Sequence, residues 1–396
     1  MAVLDQQINN LTWCSIIPLI GGLTLGAQNV LKTLPEYIIS FDGFQDNDSH
    51  TLNHFKNDNI PYLNGDKLEN IDKVDMTVMV PPCSALSNLN VKSDTEYESI
   101  KWLYISTKIA MEKCEAKVII GENAPGLFTK KGKAVVDQLH QIGLEHGYSL
   151  SIFKIDSKYC NCPQQRLRSF FVFWKGDHTY ELEPKCEMIK IDDYLKKTKL
   201  NMKYHNEKEE EEDRLINSAQ YKFIKYEMKQ ELSQFLDGVG FIQRLFKNNL
   251  IDKFEQFLIN NKFDKDLALI KHIKYKLSIG KSFWDSYSIY DTHTRGCTNA
   301  LTGKTIKTLL HPYKDRFLTN AELIAIMGLP FDYEIVNDKL IHITQNVTVQ
   351  SAEFMVKECK KYFTNNLRKI NSTLNYQDLT ISDNIKPETI ELNNLF

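Results

Sequence analysis

Met76-Thr77-Val78-Met79-Val80-Pro81-Pro82-Cys83-Ser84 carries an apolar run straight into two prolines and a cysteine. Met76 to Val80 has the length and composition of a buried strand, and Ser84 to Ser93 is polar, so the cysteine stands where a sheet opens into a loop. Two prolines fix φ on the approach. A thiol at Cys83 is therefore presented from a stiff element, as a nucleophile needs to be.

Working outward, Leu11 to Ile17, Tyr37 to Phe41, Val74 to Val80, Val118 to Ile120, Ser151 to Ile155 and Phe170 to Trp174 are further short runs rich in β-branched and aromatic residues. Helical stretches alternate with them, including Ile100 to Cys114 and Lys133 to His146, with Gly147 as a stop. Alternation of this kind predicts an α/β fold with a doubly wound, mostly parallel sheet, whose ligands sit beyond the carboxyl ends of the strands.

The chain has 396 residues, enough for one large core and a second, smaller domain. Beyond Lys185 the texture changes: Glu207 to Asp213 is acidic, and Tyr221 to Lys276 is helical in period and rich in lysine. Phe223, Tyr226, Phe235, Leu236, Phe254, Phe257 and Leu258 recur at helical spacing and read as a small helical core. The lysines either solvate its outer face or form a DNA-reading surface. A formal net charge of −2 excludes a uniformly basic nucleic-acid coat, so any such affinity must be local. Eight cysteines without a CxxC pair, and no leading signal peptide, predict reduced thiols in a cytoplasmic setting, and Lys-, Asn- and Ile-heavy, Arg-poor usage reads as an AT-rich genome, hence a bacterial or phage-infected cell. No apolar stretch approaches the ~20 residues of a membrane span. Cys160-Asn161-Cys162 lacks the further ligands of a tetrahedral site, so no metal is expected.

Four segments carry chemistry besides Cys83. Ile16 to Gly26 runs strand, glycine turn, helix, and glycines there let a ligand approach the backbone. Asp42, ending the next strand, is placed to accept ribose hydroxyls, and Asp66 is a third polar strand end. On their own these positions fit a nucleotide site or an ordinary glycine turn. Gly121-Glu122-Asn123-Ala124-Pro125 follows Val118 to Ile120 and puts a carboxyl at a strand end, either as a loop cap or as an acid toward a ring nitrogen. In Gln164-Gln165-Arg166-Leu167-Arg168, a strand would turn both arginines to one side, where they converge on a base oxygen, a phosphate or the thiolate, or merely form a surface pair. His293 and Arg295 lie in a loop where a DNA contact and a salt bridge are equally good readings.

In order and spacing these segments resemble the DNA cytosine-5 methyltransferase family over most of the chain. The glycine turn looks like the family's cofactor motif, Pro81-Pro82-Cys83 its nucleophile motif, Glu122-Asn123 its Glu-Asn-Val, and Gln164, Arg166 and Arg168 its Gln-x-Arg-x-Arg. Arg316 to Glu322 with Met327-Gly328-Leu329-Pro330 is similar to the segment after the target-recognition region, and Gln345-Asn346-Val347 to the terminal Gly-Asn-x-Val. The resemblance implies an S-adenosylmethionine-dependent methyltransferase fold. Its parts would be a catalytic domain over 1–185, a target-recognition domain with the lysine-rich insert over 186–338, and a C-terminal segment over 339–396 that returns to the first. It implies methyl transfer from S-adenosylmethionine to C5 of a cytosine flipped out of double-stranded DNA, by a monomeric enzyme. Cys83 would attack C6, Glu122 would contact N3 and the exocyclic amine, Arg168 would hold the base oxygen, Arg166 would order the site, and Asn88 to Tyr97 would close over it. Ile17, Leu19, Gly21, Gly22, Leu23, Asp42, Gly43, Asp66, Lys67, Pro81, Asn346 and Val347 would hold the cofactor.

Four departures leave Cys83, Glu122 and Arg168 in place, two of them on the cofactor side. Leu19 replaces a glycine of Phe-x-Gly-x-Gly, Gln345 replaces another, Ser84 follows the cysteine in place of glutamine, and Glu98-Ser99-Ile100 stands where Asp-x-Arg is usual. Two other readings therefore stay open: a catalytically silent DNA-binding or regulatory protein on this fold, and a related enzyme with an RNA substrate or another one-carbon donor.

Overall fold

A computed structural model of the protein describes residues 11–86, 96–280, 288–303 and 305–380. Eight strands form the central sheet: β1 (Trp13–Ile16), β2 (Ile38–Ser40), β3 (Tyr62–Asn64), β4 (Met76–Met79), β5 (Val118–Asn123), β6 (Tyr148–Asp156), β8 (Leu167–Lys175) and β12 (Leu374–Asp378). Short pairs outside it are β7 (Gln164–Gln165) with β10 (Thr298–Asn299), and β9 (Thr179–Glu181) with β11 (Arg368–Ile370). The sheet order is β12-β6-β8-β5-β4-β1-β2-β3. All its neighbouring pairs are parallel except those of β8, which runs antiparallel to both β5 and β6. The chain is thus α/β and doubly wound, with its switch point between β1 and β4, the strand that leads to Cys83.

Both faces of the sheet are covered, which is why its strands read as continuous apolar runs. Helices α1 (Gly22–Leu31), α2 (Gln45–His54), α3 (Glu96–Glu112) and α4 (Lys133–Glu145) follow β1, β2, β4 and β5. Along β8, Phe171 and Phe173 face one layer with Leu103 and Met111 of α3 and Val136 and Leu139 of α4. Phe170, Val172 and Trp174 face the other, with Leu23 and Ala27 of α1 and Met355 and Val356 of the helix Val349–Lys360. Burying each such phenylalanine contributes roughly 1.5–3 kcal/mol, so both layers are strongly held. The expected strands and helices are present with shifted ends. Residue 17 is not strand but a left-handed turn, and β5 runs three residues past Ile120, so Glu122 and Asn123 belong to a strand and not to a loop.

From Leu215 to Ile273 the helices build a separate apolar cluster around Phe223, Phe241 and Phe254, joined by Ile289, Leu310 and Phe317. Tyr226 is the exception to its predicted stripe, at 69% exposed. It lies in a π-helical turn, Phe223–Glu227, whose wider winding rotates it off the buried face. In the central sheet the sequence reading missed β12, an edge strand with polar Asn375 and Gln377, and outside it the short strands β9, β10 and β11; β3, three residues long, ends just before Asp66.

The last part of the chain is joined to the first by close packing. A Cβ on Gly22 would stand 2.1 Å from Val347 O, and one on Gly26 2.4 Å from Ala352 Cβ. Because the first obstacle is backbone, Gly22→Ala should overpack this joint and lower the unfolding free energy by about 1–3 kcal/mol. Urea denaturation checks this; an unchanged midpoint would show that the joint yields.

Candidate active site

Parallel strands put the ends of β1, β4 and β5 on one edge, and antiparallel β8 begins at that edge, so four sequence segments meet there. Glu122 pairs with Phe170 and Asn123 with Ser169, which brings Arg168 alongside the carboxyl end of β5. Arg168 Nε lies 2.7 Å from Glu122 Oε1, with Glu122 buried and Arg168 largely so. The approach is too misaligned to be a hydrogen bond, and both atoms are buried without a hydrogen-bond partner. Asn123 fastens the neighbouring turn: its Nδ2 donates to Pro81 O at 3.4 Å. Leu86 N–H donates to Cys83 O at 3.1 Å, and Gly126 leaves room for Leu86, whose carbonyl oxygen would stand 2.2 Å from an added Cβ. Cys83 is half-buried between these groups.

The electrostatics pull in opposite directions. Burial raises the Cys83 thiol above its ordinary value, the Glu122 carboxylate raises it further, and Arg168 and Arg166 lower it. Burial also raises Glu122, against the same two guanidinium groups. A carboxyl held in its protonated form can donate a hydrogen bond, and a thiol held protonated needs help to become a nucleophile.

Arg166 does not converge with Arg168 as a common strand face would require. It lies between β7 and β8, where the strand is interrupted, and is 2% exposed. Nη1 donates to Leu301 O at 2.9 Å, and Nη2 donates to Thr344 O at 2.6 Å and Asn346 O at 2.8 Å. Gln164 holds the same segment, its Oε1 accepting Leu301 N–H at 3.2 Å. Arg166 is therefore a positioning residue. Burial, then Arg168, lowers its pKa to about 9.

On the cofactor side, Gly21 turns at φ +87° and begins the passage into α1. Ile17 and Leu19 also keep left-handed backbone, at φ 49° and 52°, although neither is glycine. Leu19 is pinned by Asp48, which accepts its N–H at 2.9 Å, and by Thr51 Oγ1, which donates to its carbonyl at 2.8 Å. Gly22 N–H donates to Asn346 Oδ1 at 3.1 Å, while Asn346 Nδ2 is buried without a partner. Asp42 is exposed at the end of β2 and accepts from Gln45 at 3.2 Å and Asn64 at 3.4 Å. Gly43 is open, and Asp66 and Lys67 are exposed in the turn after β3. Ile17, Leu23 and Val347, expected at the cofactor, are instead fully buried, their side chains packed in the apolar core. Sequence reading missed the rings beside Asp42: Phe41 and Phe44 lie 4.7 and 5.3 Å from Trp102. Their aromatic character was the available signal, but nothing in the sequence joins residue 102 to residue 41. Of the loop Asn88 to Tyr97, residues 88–95 lie outside the described residues and Glu96 and Tyr97 open α3. Among the described residues no His, Cys, Asp and Glu cluster is suited to a metal ion, and no helix is long and apolar enough to cross a membrane.

Two outcomes follow. Glu122→Gln removes the negative charge that opposes the thiolate, so Cys83 should ionise at lower pH and alkylate faster with iodoacetamide near pH 8, mapped by peptide mass. A slower reaction would contradict the geometry. Arg166→Met should cost about 3 kcal/mol or more in urea denaturation, since several buried carbonyls lose their donor.

The sequence matches the family model described as C-5 cytosine-specific DNA methylase over residues 14–361. No curated protein matches it. Among solved structures it is similar to one described as a DNA modification methyltransferase encoded within a prophage of E. coli, with TM-score 0.55 and 14% identity over 90% of this chain and 100% of that one. It is also similar to the Entamoeba histolytica methyltransferase EhMeth, with TM-score 0.52 and 13% identity over 90% of this chain and 98% of that one. Likenesses at such identity show a methyltransferase fold.

Proposed function

The chain belongs to the C-5 cytosine-specific DNA methylase family and is a DNA cytosine-5 methyltransferase, and from its site we propose a covalent route with S-adenosylmethionine as donor. The observation that carries this reading is the buried Glu122–Arg168 pair beside the Cys83 thiol, with a carboxylate oxygen and a guanidinium N–H left unsatisfied. A buried ion pair that makes no hydrogen bond of its own beside a thiol is a place where a ligand's donors and acceptors complete the set. A cytosine ring offers the matching set: N3 and the exocyclic amine for Glu122, and O2 for Arg168.

A cytosine stacked in a duplex is out of reach of a recessed thiol, so the base must be extruded, at a cost of a few kcal/mol. Cys83 Sγ then adds to C6, and the electron pair of the C5–C6 bond makes C5 nucleophilic. Glu122, whose carboxyl burial keeps toward the protonated form, donates to N3 and withdraws electron density as the bond to sulfur forms. S-adenosylmethionine, when bound, supplies an electrophilic methyl group for C5. Loss of the C5 proton and breakage of the C6–Sγ bond then restore the aromatic ring and return the thiolate.

The residues present fit such a donor. Asn346 has a free buried N–H beside the glycine turn, Asp42 exposes a carboxylate to ribose hydroxyls, and Phe41, Phe44 and Trp102 offer aromatic surface for an adenine. Leu19 keeps the left-handed turn of the glycine it replaces, so its side chain reshapes the cleft without refolding it.

Incubating the full chain with labelled S-adenosylmethionine and cytosine-containing duplex should give 5-methylcytosine by nucleoside mass analysis. Cys83→Ser should lower the rate on the order of 10³-fold or more with unchanged thermal stability. Retained turnover in that variant, transfer to RNA alone, or a different one-carbon product would overturn the route.

A further inference from the structure

His293 and Arg295 share one exposed turn, and the structure separates their roles. His293 Nδ1 lies 3.0 Å from Asp192 Oδ2, so its ring already has a carboxylate partner. Arg295 has no carboxylate within ion-pairing distance among the described residues, yet its guanidinium is held. Nη2 donates to Gln165 Oε1 at 2.6 Å and Nη1 donates to Asn299 Oδ1. Its stem lies over Gly238, where a Cβ would stand 3.3 Å from Arg295 Cγ. The turn itself is fixed by Asp291, 3% exposed, which accepts the N–H groups of His293 at 3.0 Å and of Thr294 and Gly238 at 3.3 Å. A long cation is thus oriented by neutral amides that leave its charge uncompensated.

Its place in the fold is the rim of the site. β10 pairs in parallel with β7, Asn299 opposite Gln165, and Gln165 directly precedes Arg166. Three residues of extended chain, about 10–11 Å, separate Gln165 from Arg168, which faces Glu122. We propose that Arg295 is a phosphate anchor, which grips the DNA backbone beside the extruded cytosine and is aimed there by Gln165 and Asn299. Guanine readout is the weaker match, because a bidentate contact needs an open fork and both terminal nitrogens of Arg295 are already engaged. A phosphate oxygen accepts from whichever donors remain. The proposal rests on the DNA methyl-transfer reading above and adds a residue to it.

Arg295→Gln and Gln165→Glu test it in the full chain, the second by placing a carboxylate against an intact guanidinium. The probe is a fluorescein-labelled duplex of mixed sequence, titrated by anisotropy over a range of salt. Loss of one phosphate contact should flatten the plot of log affinity against log salt by about 0.9 and weaken binding roughly fivefold near 0.15 M salt. KM for duplex in methyl transfer should rise by a similar factor in both variants, while Arg295→Lys should keep the salt slope. Wild-type affinity and slope in Arg295→Gln would overturn the proposal. So would a relaxed sequence preference in a base-resolved methylation map, the mark of a base contact. A wild-type protein that transfers no methyl group would instead sink the earlier reading, whatever the variants do.

Discussion

A single guanidinium, that of Arg166, ties two distant segments of the chain to the reacting edge of the sheet. It is buried in the gap between β7 and β8 and donates to carbonyls at positions 301, 344 and 346. Taking a charge out of water is costly, and carbonyl dipoles converging on it offset that cost only while all are in place. The clamp therefore tends toward all-or-none behaviour. With it closed, the rim segment that carries Arg295 and the return segment that carries Asn346 are both referenced to the strand that carries Arg168. On the proposed reading, the positions for base, donor and DNA then share one origin.

That arrangement also sets the electrical character of the site. Cys83 is raised by burial and by Glu122, and the two guanidinium groups counter this without cancelling it. A thiol so poised resists idle oxidation and alkylation, and it gains nucleophilicity when a ring spreads the charge that develops. Glu122 stays protonated more readily than a surface glutamate for the same reason, desolvation. Burial thus raises both groups above their ordinary values, and on the proposed route both exchange charge with the substrate.

The cofactor side shows a different compromise. Left-handed backbone at Ile17 and Leu19 costs of order 1–3 kcal/mol per residue, because a Cβ crowds the carbonyl. Packing and hydrogen bonds hold it: Leu19 by Asp48 and Thr51, Ile17 by N–H donation to Ile39 O at 2.8 Å. Asp48 is itself buried against Ser40 and Tyr62, and desolvation pushes its carboxyl up to about 6. Tyr333 OH donates to Ile20 O at 2.7 Å, bringing a residue from far along the chain under the same turn. No glycine stands at position 17 or 19, and the left-handed turn is enforced from outside.

Much of this was legible in the residues alone. Strand runs such as Met76 to Val80, helix stops such as Gly147, and the order Cys83, Glu122, Arg168 determined the α/β plan and the chemistry at its edge, because local periodicity and the alternation of strand and helix bring strand ends together. For Arg166 the family resemblance implied an ordering role but not its partners, since its three carbonyl acceptors lie 135 to 180 residues away. The salt bridge at His293 and its absence at Arg295, the rings around Trp102, and the polar edge strand β12 were likewise decided by tertiary packing. Sequence records which side chains are available; which of them lose water, and against what, depends on contacts between residues remote in the chain.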